Sequence, residues 1–253
     1  MNIKDLEAPN CRIIENFISK EECDWLIKYS EESGLWSKHN RQRQTFKTEE
    51  DYKSAAEHWD NRRIEINELY REGMENYKDL FKFVVPIQER MEEQVKDFFK
   101  PDFEIYSELW EIVKWYYPHL QEPHVDFIDP DFDLSSIDLS SVPEQCKYFF
   151  EEKNISEYKR LFTNKLYTSM LYLNDDFEGG ELFFPQHNEF SIKPKAGMLL
   201  IFSGDINTMH GIRQITSGNR YTHTTFWTKD LYKSSLVAID KKRGRFMKDK
   251  LID

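Results

Sequence analysis

Cysteine is scarce in this chain. Cys11, Cys23 and Cys146 are scattered through 253 residues with no C-x-x-C pair, which excludes a disulfide framework. Long apolar runs are missing as well. None approaches the roughly 18 residues of a membrane-spanning helix. The opening "MNIKDLEAPNCRII" has no basic stretch followed by an apolar one, so no signal peptide is read there. Positive charge is in deficit, with 35 Lys and Arg against 46 Asp and Glu, a net charge of -11. That balance disfavours nucleic acid or an anionic membrane as a partner. No internal repeat is present. These absences lead to the expectation of a reduced, cytoplasmic protein with no membrane or nucleic-acid partner; they say nothing of its oligomeric state.

Large side chains are plentiful. Hydrophobic residues make up 39% of the chain, with 19 Phe, 13 Tyr and 6 Trp, enough for a sizeable core. Residues 12–36 begin with a short strand-like piece, after which Ser19 and Glu22 form a capping-box pattern and Gly34 offers a stop. Stretches 49–80 and 86–99 carry apolar residues among charges (Ile64, Ile66, Leu69, Tyr70; Val85, Met91, Val95, Phe98) and are read as helices with solvated faces. From about residue 103 the period shortens. "FEIYSELWEIVKWYY", "KLYTSMLYLN", "GELFFP", "GMLLIFS" and "RYTHTTFWT" read as strands separated by Gly, Pro, Asn and Asp. The fold expected is mainly β with flanking helices, an antiparallel sandwich or barrel. The division expected is a support region over 1–104, a β core over 105–230 interrupted at 129–163, and a basic tail over 231–253.

"EPHVDF" (122–127) places His124 and Asp126 two apart, so that in an extended chain both point to one side while Val125 and Phe127 pack on the other. His58-Trp59-Asp60 repeats the pattern, but a helix there would turn the two side chains away from each other. His210 in "NTMHGIRQ" is the best third ligand. Two histidines and a carboxylate make the facial triad of non-haem iron oxygenases, with positions left open; zinc accepts the same ligands, although no H-E-x-x-H is present. Arg220 discriminates. Alternation puts Arg220, Thr222, Thr224 and Phe226 on one face, and an inward arginine needs an anion, which its planar fork binds with two hydrogen bonds. His119, His187 and His223 are read as structural.

"EPHVDF", "SMLYLNDDFEGGELFFP", "KAGMLLIFSG" and "MHGIRQITSGNRY", with "IIENFISKEECDWLI" before them, resemble in order the Fe(II)/2-oxoglutarate dioxygenases, specifically their prolyl 4-hydroxylase-like branch. The resemblance implies a double-stranded β-helix (jelly-roll) core with an N-terminal helical segment packed on it. It implies Fe(II) on His124, Asp126 and His210, and Arg220 on the distal carboxylate of 2-oxoglutarate. Tyr172, Leu182, Thr224 and an upstream tyrosine would line the cosubstrate pocket. That tyrosine is Tyr116 or Tyr117, because "YYPHLQEPH" is shorter than the family pattern. The activity implied is O2-dependent hydroxylation of an unactivated C–H with release of succinate and CO2, ascorbate being a candidate accessory. Asp126 argues against the related halogenases, which lack that carboxylate. Phe226, where the nucleic-acid demethylases carry a second arginine, argues against that branch. The substrate stays open among a prolyl residue, another protein side chain, a free amino acid and a small metabolite. A jelly roll that only binds a ligand or partner is the non-enzymatic alternative. In the insertion, "DPDFDLSSIDLSSVPE" lacks the glycine and glutamate of an EF-hand loop, having Leu134 and Ser140 there. Phe132, Leu134 and Ile137 are expected to form a lid that orders over the site.

Overall fold

The computed structural model describes residues 1–36, 62–66, 69, 77–161 and 165–229. Strand β13 (Asn219–Thr228) organises the molecule, because its alternating side chains serve two layers. Tyr221 and Trp227 enter the core beneath the helices. His223 and Thr225, on the same side, meet Gln88 of a helix. Arg220, Thr222, Thr224 and Phe226 fall on the opposite, inner face. Both faces are buried.

The strand is flanked by β4 (Tyr106–Tyr116) and β6 (Lys165–Tyr172), both antiparallel to it. With β1 (Asn2–Leu6), β2 (Cys11–Glu15), β3 (Arg63–Glu65) and β10 (Leu199–Phe202) they form a seven-stranded sheet of order β1-β2-β10-β6-β13-β4-β3. A smaller sheet of order β5-β11-β8-β9 faces it, built from β5 (Gln121–His124), β8 (Leu182–Phe184), β9 (Phe190–Ile192) and β11 (His210–Ile212). A further pair, β7 (Glu178–Gly179) with β12 (Ile215–Ser217), completes a double-stranded β-helix. Between the two sheets Met170, Tyr172, Leu200 and Phe202 meet Leu182, Phe184 and Ile192.

Helices cover the outer face of the large sheet. Helix α1 (Lys20–Glu32) starts on the expected capping box: Ser19 Oγ accepts from the Glu22 amide at 3.2 Å and Glu22 accepts from the Ser19 amide at 2.7 Å. Gly34, just beyond its end, takes the left-handed conformation at φ +67°. Helix α2 (Lys78–Phe99) buries Leu80, Phe81, Val84, Ile87, Met91 and Val95 against Ile112, Leu171, Leu199 and Ile201 of the sheet.

Two helix expectations need correction. Residues 63–65 are strand β3, not part of a helix over 49–80; Ile64 pairs with Ile112 on the sheet edge and both sink into the helix-side core. The second helix runs unbroken through residue 85, with Pro86 inside it. An interior proline costs about 3 kcal/mol, but each fully buried aliphatic or aromatic side chain contributes about 1.5–3 kcal/mol. Six of them on one face decide the matter. Residues 49–61, 67, 68 and 70–76, with the His58-Trp59-Asp60 copy among them, and the tail 231–253 lie outside the described residues.

The stretch 129–161 is folded. Two 3-10 turns (Leu134–Ser136 and Glu144–Phe150) precede helix α3 (Glu152–Leu161). Val142, Cys146, Phe149, Phe150 and Ile155 make a small core with Val125, Ile128 and Met209, and Phe132, Leu134 and Ile137 pack against it. Val125 lies between His124 and Asp126, and Met209 immediately precedes His210. The insertion is therefore built onto the backs of the residues that alternate with the candidate ligands.

Candidate metal centre and anion pocket

His124 ends β5 and His210 begins β11, and the two residues are direct partners across that ladder. Asp126 lies two residues beyond His124. Its amide and that of Phe127 both donate to the Gly204 carbonyl, at 2.8 and 3.0 Å. Gly204 sits at φ +68°, where a Cβ would come within 3.0 Å of Thr168 Oγ1 and 3.1 Å of Asp126 Cβ. Only glycine lets the backbone come this close. Together His124, Asp126 and His210 offer ligand atoms all within 4.8 Å of one another, the one such cluster among the described residues.

The ring nitrogens are differentiated. Nδ1 of His124 contacts the Glu122 carbonyl at 2.9 Å, and Nδ1 of His210 contacts the Thr208 carbonyl at 3.0 Å. A carbonyl can only accept, so each ring carries its proton on Nδ1 and presents the Nε2 lone pair inward. Those Nε2 atoms lie 3.8 and 3.6 Å from the two oxygens of Asp126. Thr168 Oγ1 donates to Asp126 Oδ2 at 2.7 Å, which fixes the carboxylate plane. Burial lowers the pKa of His210 to about 4, and the neighbouring His124 adds to the effect; its ring is therefore neutral. Burial pushes the Asp126 pKa upward, but the charged forms of the neighbouring histidines, Lys165 and the Thr168 hydroxyl together bring it below the usual carboxylate value. Phe202, 4.6 Å from the His210 ring, and Phe184 close that side.

Arg220 lies on the same inner surface and is fully buried. Its Nη2 contacts Met170 Sδ at 3.3 Å and its guanidinium stands 5.0 Å from the Tyr172 ring centre. Nε and Nη1 of Arg220 and the hydroxyl of Tyr172 make no hydrogen bond of good geometry, although the phenol and guanidinium are close enough to interact. Burial lowers the pKa of the guanidinium and raises that of the Tyr172 phenol. Among the described residues no carboxylate bonds the unused Nε and Nη1 of Arg220. Arg62, equally buried, stacks 4.3 Å over Trp115 and donates to the Lys114 carbonyl at 3.1 Å. Burial lowers its pKa to about 10, Tyr116 opposes that shift, and repulsion from Arg63 and Arg220 adds to it. Arg220 is thus a buried cation with unused donors, an arrangement that an anion would relieve.

The other expected pocket residues fall as follows. Leu182 is buried beside Tyr172. Thr224 is buried, aligned between Glu111 and Met170. Tyr116 is half-buried, edge-on to His119 at 4.3 Å, whereas Tyr117 is 65% exposed. His119 and His187 bond backbone carbonyls of Tyr116 and Asn207, and His223 contacts the Glu111 carbonyl on the helix side of the sheet.

Sequence reasoning missed four residues. Thr168 and Gly204 hold Asp126. Arg62 lay hidden in "NRRIEIN", read as a solvated helix. Gln121 Nε2 lies 3.0 Å from His124 Nε2. The available signal for Gln121 was a polar side chain in a short strand three residues before the histidine.

Comparison with known proteins agrees with this geometry. Residues 116–228 match the model of the 2OG-Fe(II) oxygenase superfamily. Human prolyl 3-hydroxylase 3 is 40% identical over 63 residues, 23% of this chain and 9% of that protein. Human prolyl 3-hydroxylase 2 is 39% identical over 73 residues, 27% of this chain and 10% of that protein. The chain spans about a tenth of the length of these curated relatives. The solved viral collagen prolyl hydroxylase of Paramecium bursaria Chlorella virus-1, in its 2OG complex, is similar in fold with a TM-score of 0.51 and 18% identity, over 86% of this chain and 94% of that one.

Proposed function

From a 2OG-Fe(II) oxygenase domain over residues 116–228, we propose that this protein is an Fe(II)- and 2-oxoglutarate-dependent dioxygenase that hydroxylates an unactivated C–H bond. The observation that carries the proposal is the pairing of two donor sets on one inner surface. One is a triad with two inward Nε2 lone pairs and a carboxylate. The other is a buried arginine whose Nε and Nη1 make no hydrogen bond of good geometry. The donor set fits a divalent iron with open positions, and Arg220 fits the far end of a dicarboxylate chelated to that iron.

Bound there, Fe(II) with 2-oxoglutarate and O2 supplies the oxidising chemistry that hydroxylates the substrate and releases succinate and CO2. The chain's own groups do the rest. His124, Asp126 and His210 would hold the metal, with their orientations set by Glu122, Thr208, Thr168 and Gly204. Arg220 and the Tyr172 hydroxyl would take the distal carboxylate of the cosubstrate. Thr224 and Leu182 would line its path, and Tyr116, not the exposed Tyr117, would border its far end. Phe184, Phe202 and Met170 would keep water out, which strengthens every charge contact inside. We further propose a prolyl residue as the substrate class, since the curated relatives are named prolyl 3-hydroxylases. Ascorbate would serve as an accessory reductant, and the folded segment 129–161 would form one wall of the substrate entrance.

The test is anaerobic titration of metal-free protein with Fe(II) and 2-oxoglutarate, then O2, following succinate. His210→Ala should abolish metal binding and turnover together. Succinate formation at wild-type rate in that variant would overturn the reading.

A further inference from the structure

The contact between Gln121 and His124 has no role in the reaction described so far. Because Nδ1 of His124 is committed to the Glu122 carbonyl, its Nε2 can only accept, and the Gln121 amide must be the donor at 3.0 Å. The amide nitrogen therefore lies along the same lone pair that a metal would use at about 2.0–2.1 Å. The backbone of Gln121 has little freedom to retreat. It is paired with Ile212 of β11, and a Cβ on Gly211 would come within 2.9 Å of the Gln121 carbonyl and 2.7 Å of the Phe183 ring, so the two strands are clamped together there. When His124 takes a metal, only the side chain of Gln121 can swing aside, and its three rotatable bonds leave the carboxamide at the edge of the coordination sphere.

We propose that Gln121 is a positioning residue for the metal-bound anion: its carboxamide borders an open coordination position and donates a hydrogen bond to the carboxylate that chelates there. This rests on the assignment of His124, Asp126 and His210 as the metal ligands. A neutral amide suits the place. It donates to an anion without competing for the metal, whereas a carboxylate at the same reach would become a fourth protein ligand and fill the position. No other uncharged side-chain donor among the described residues lies within hydrogen-bond distance of a ligating nitrogen.

The experiment uses the full chain with Co(II) or Mn(II) in place of iron, so that binding is read without turnover. Metal affinity, the visible spectrum of the Co(II) form and 2-oxoglutarate affinity are measured for wild type, His124→Ala, Gln121→Leu and Gln121→Glu. Gln121→Leu should leave metal affinity within about twofold and weaken 2-oxoglutarate by about tenfold, the worth of one hydrogen bond to a charged acceptor. Gln121→Glu should do the opposite to the metal, tightening Co(II) by about tenfold or more, changing its visible spectrum, and weakening 2-oxoglutarate. A side chain that merely supported the strand would move metal and cosubstrate affinity in the same direction in both variants. If wild type binds metal in a His124-dependent manner while both Gln121 variants match it in all three readouts, the proposal is wrong. If His124→Ala binds metal as wild type does, the metal assignment itself has failed.

Discussion

Replacing Arg220 by methionine should make the ligand-free protein more stable and the ligand-bound protein useless. Arg220 is fully buried, and two of its three nitrogens make no hydrogen bond of good geometry. Leaving a buried charge uncompensated is costly, and apolar side chains of similar volume in place of buried ions often stabilise by about 1–4 kcal/mol. For a chain of this size each kcal/mol moves the melting temperature by roughly 2–4 °C, so Arg220→Met should melt a few degrees higher without cosubstrate. Binding should behave in the opposite way. A hydrogen bond to a charged group contributes about 1.5–3 kcal/mol, so the dissociation constant for 2-oxoglutarate should rise roughly 10- to 150-fold. At a concentration of one hundred times the wild-type Kd, ligand stabilises wild type by about 2.7 kcal/mol; the variant should gain about half of that or less. Differential scanning fluorimetry with and without 2-oxoglutarate, in the presence of Mn(II), reads both effects. A variant that melts below wild type when ligand-free and keeps the full ligand-induced rise would refute the argument, because Arg220 would then be a satisfied structural residue.

Arg62→Met should raise the 2-oxoglutarate requirement several-fold and leave binding of 2-oxobutanoate, which lacks the distal carboxylate, unchanged in the same titration; equal losses for both would mean that Arg62 only supports Trp115. Burial holds His223 neutral, with a pKa near 4, against about 6.5 in the unfolded chain. The unfolded state therefore takes up that proton first, so stability is complete above pH 6.5 or so and falls by up to about 3 kcal/mol as pH drops toward 4. Urea unfolding of wild type and His223→Gln across that range should show a flatter profile for the variant. Replacing 130–160 with a short Gly-Ser linker strips Val125, Ile128 and Met209 of their partners, so metal affinity should fall along with coupling, as isothermal titration with Mn(II) would record. Unchanged metal affinity would mean that the ligand backs need no support.

The β core was legible because its strands alternate cleanly and are punctuated by turn residues. In "RYTHTTFWT" the period of two alone sorts Arg220 from Tyr221. His124 and Asp126 stood out by their spacing of two, although β5 ends at His124 and Asp126 is held beyond it by the Gly204 carbonyl; Thr168 did not stand out, because a hydroxyl in a strand carries no mark of the carboxylate it holds. Strand β3 was hidden by its neighbours. Ile64 and Ile66 stand two apart, as in a strand, but Leu69 and Tyr70 follow at helical spacing and the charges between them suit a solvated helix. Pro86 misled in the other direction, since its local cost is visible in sequence while the six-residue apolar stripe that offsets it acts only through tertiary packing. Arg62 could not be found from its own segment. Its significance comes from Arg220, more than 150 positions away in the sequence.

The two-sided burial of β13 also constrains how this protein can vary. Every position from 220 to 227 is buried, with Arg220, Thr222, Thr224 and Phe226 on the inner face and Tyr221, His223, Thr225 and Trp227 on the helix side. Deleting or inserting one residue there would hand Tyr221 and His223 to the pocket and Arg220 to the hydrocarbon of the helix layer, so both functions would fail together. The segment 129–161 makes its own small core and meets the rest mainly through Val125, Ile128 and Met209. It can change in length and composition as long as those three contacts are kept. Lineages of this fold should therefore record their divergence in substrate preference as insertions and deletions between β5 and β6, while β13 accepts substitution without any change of length.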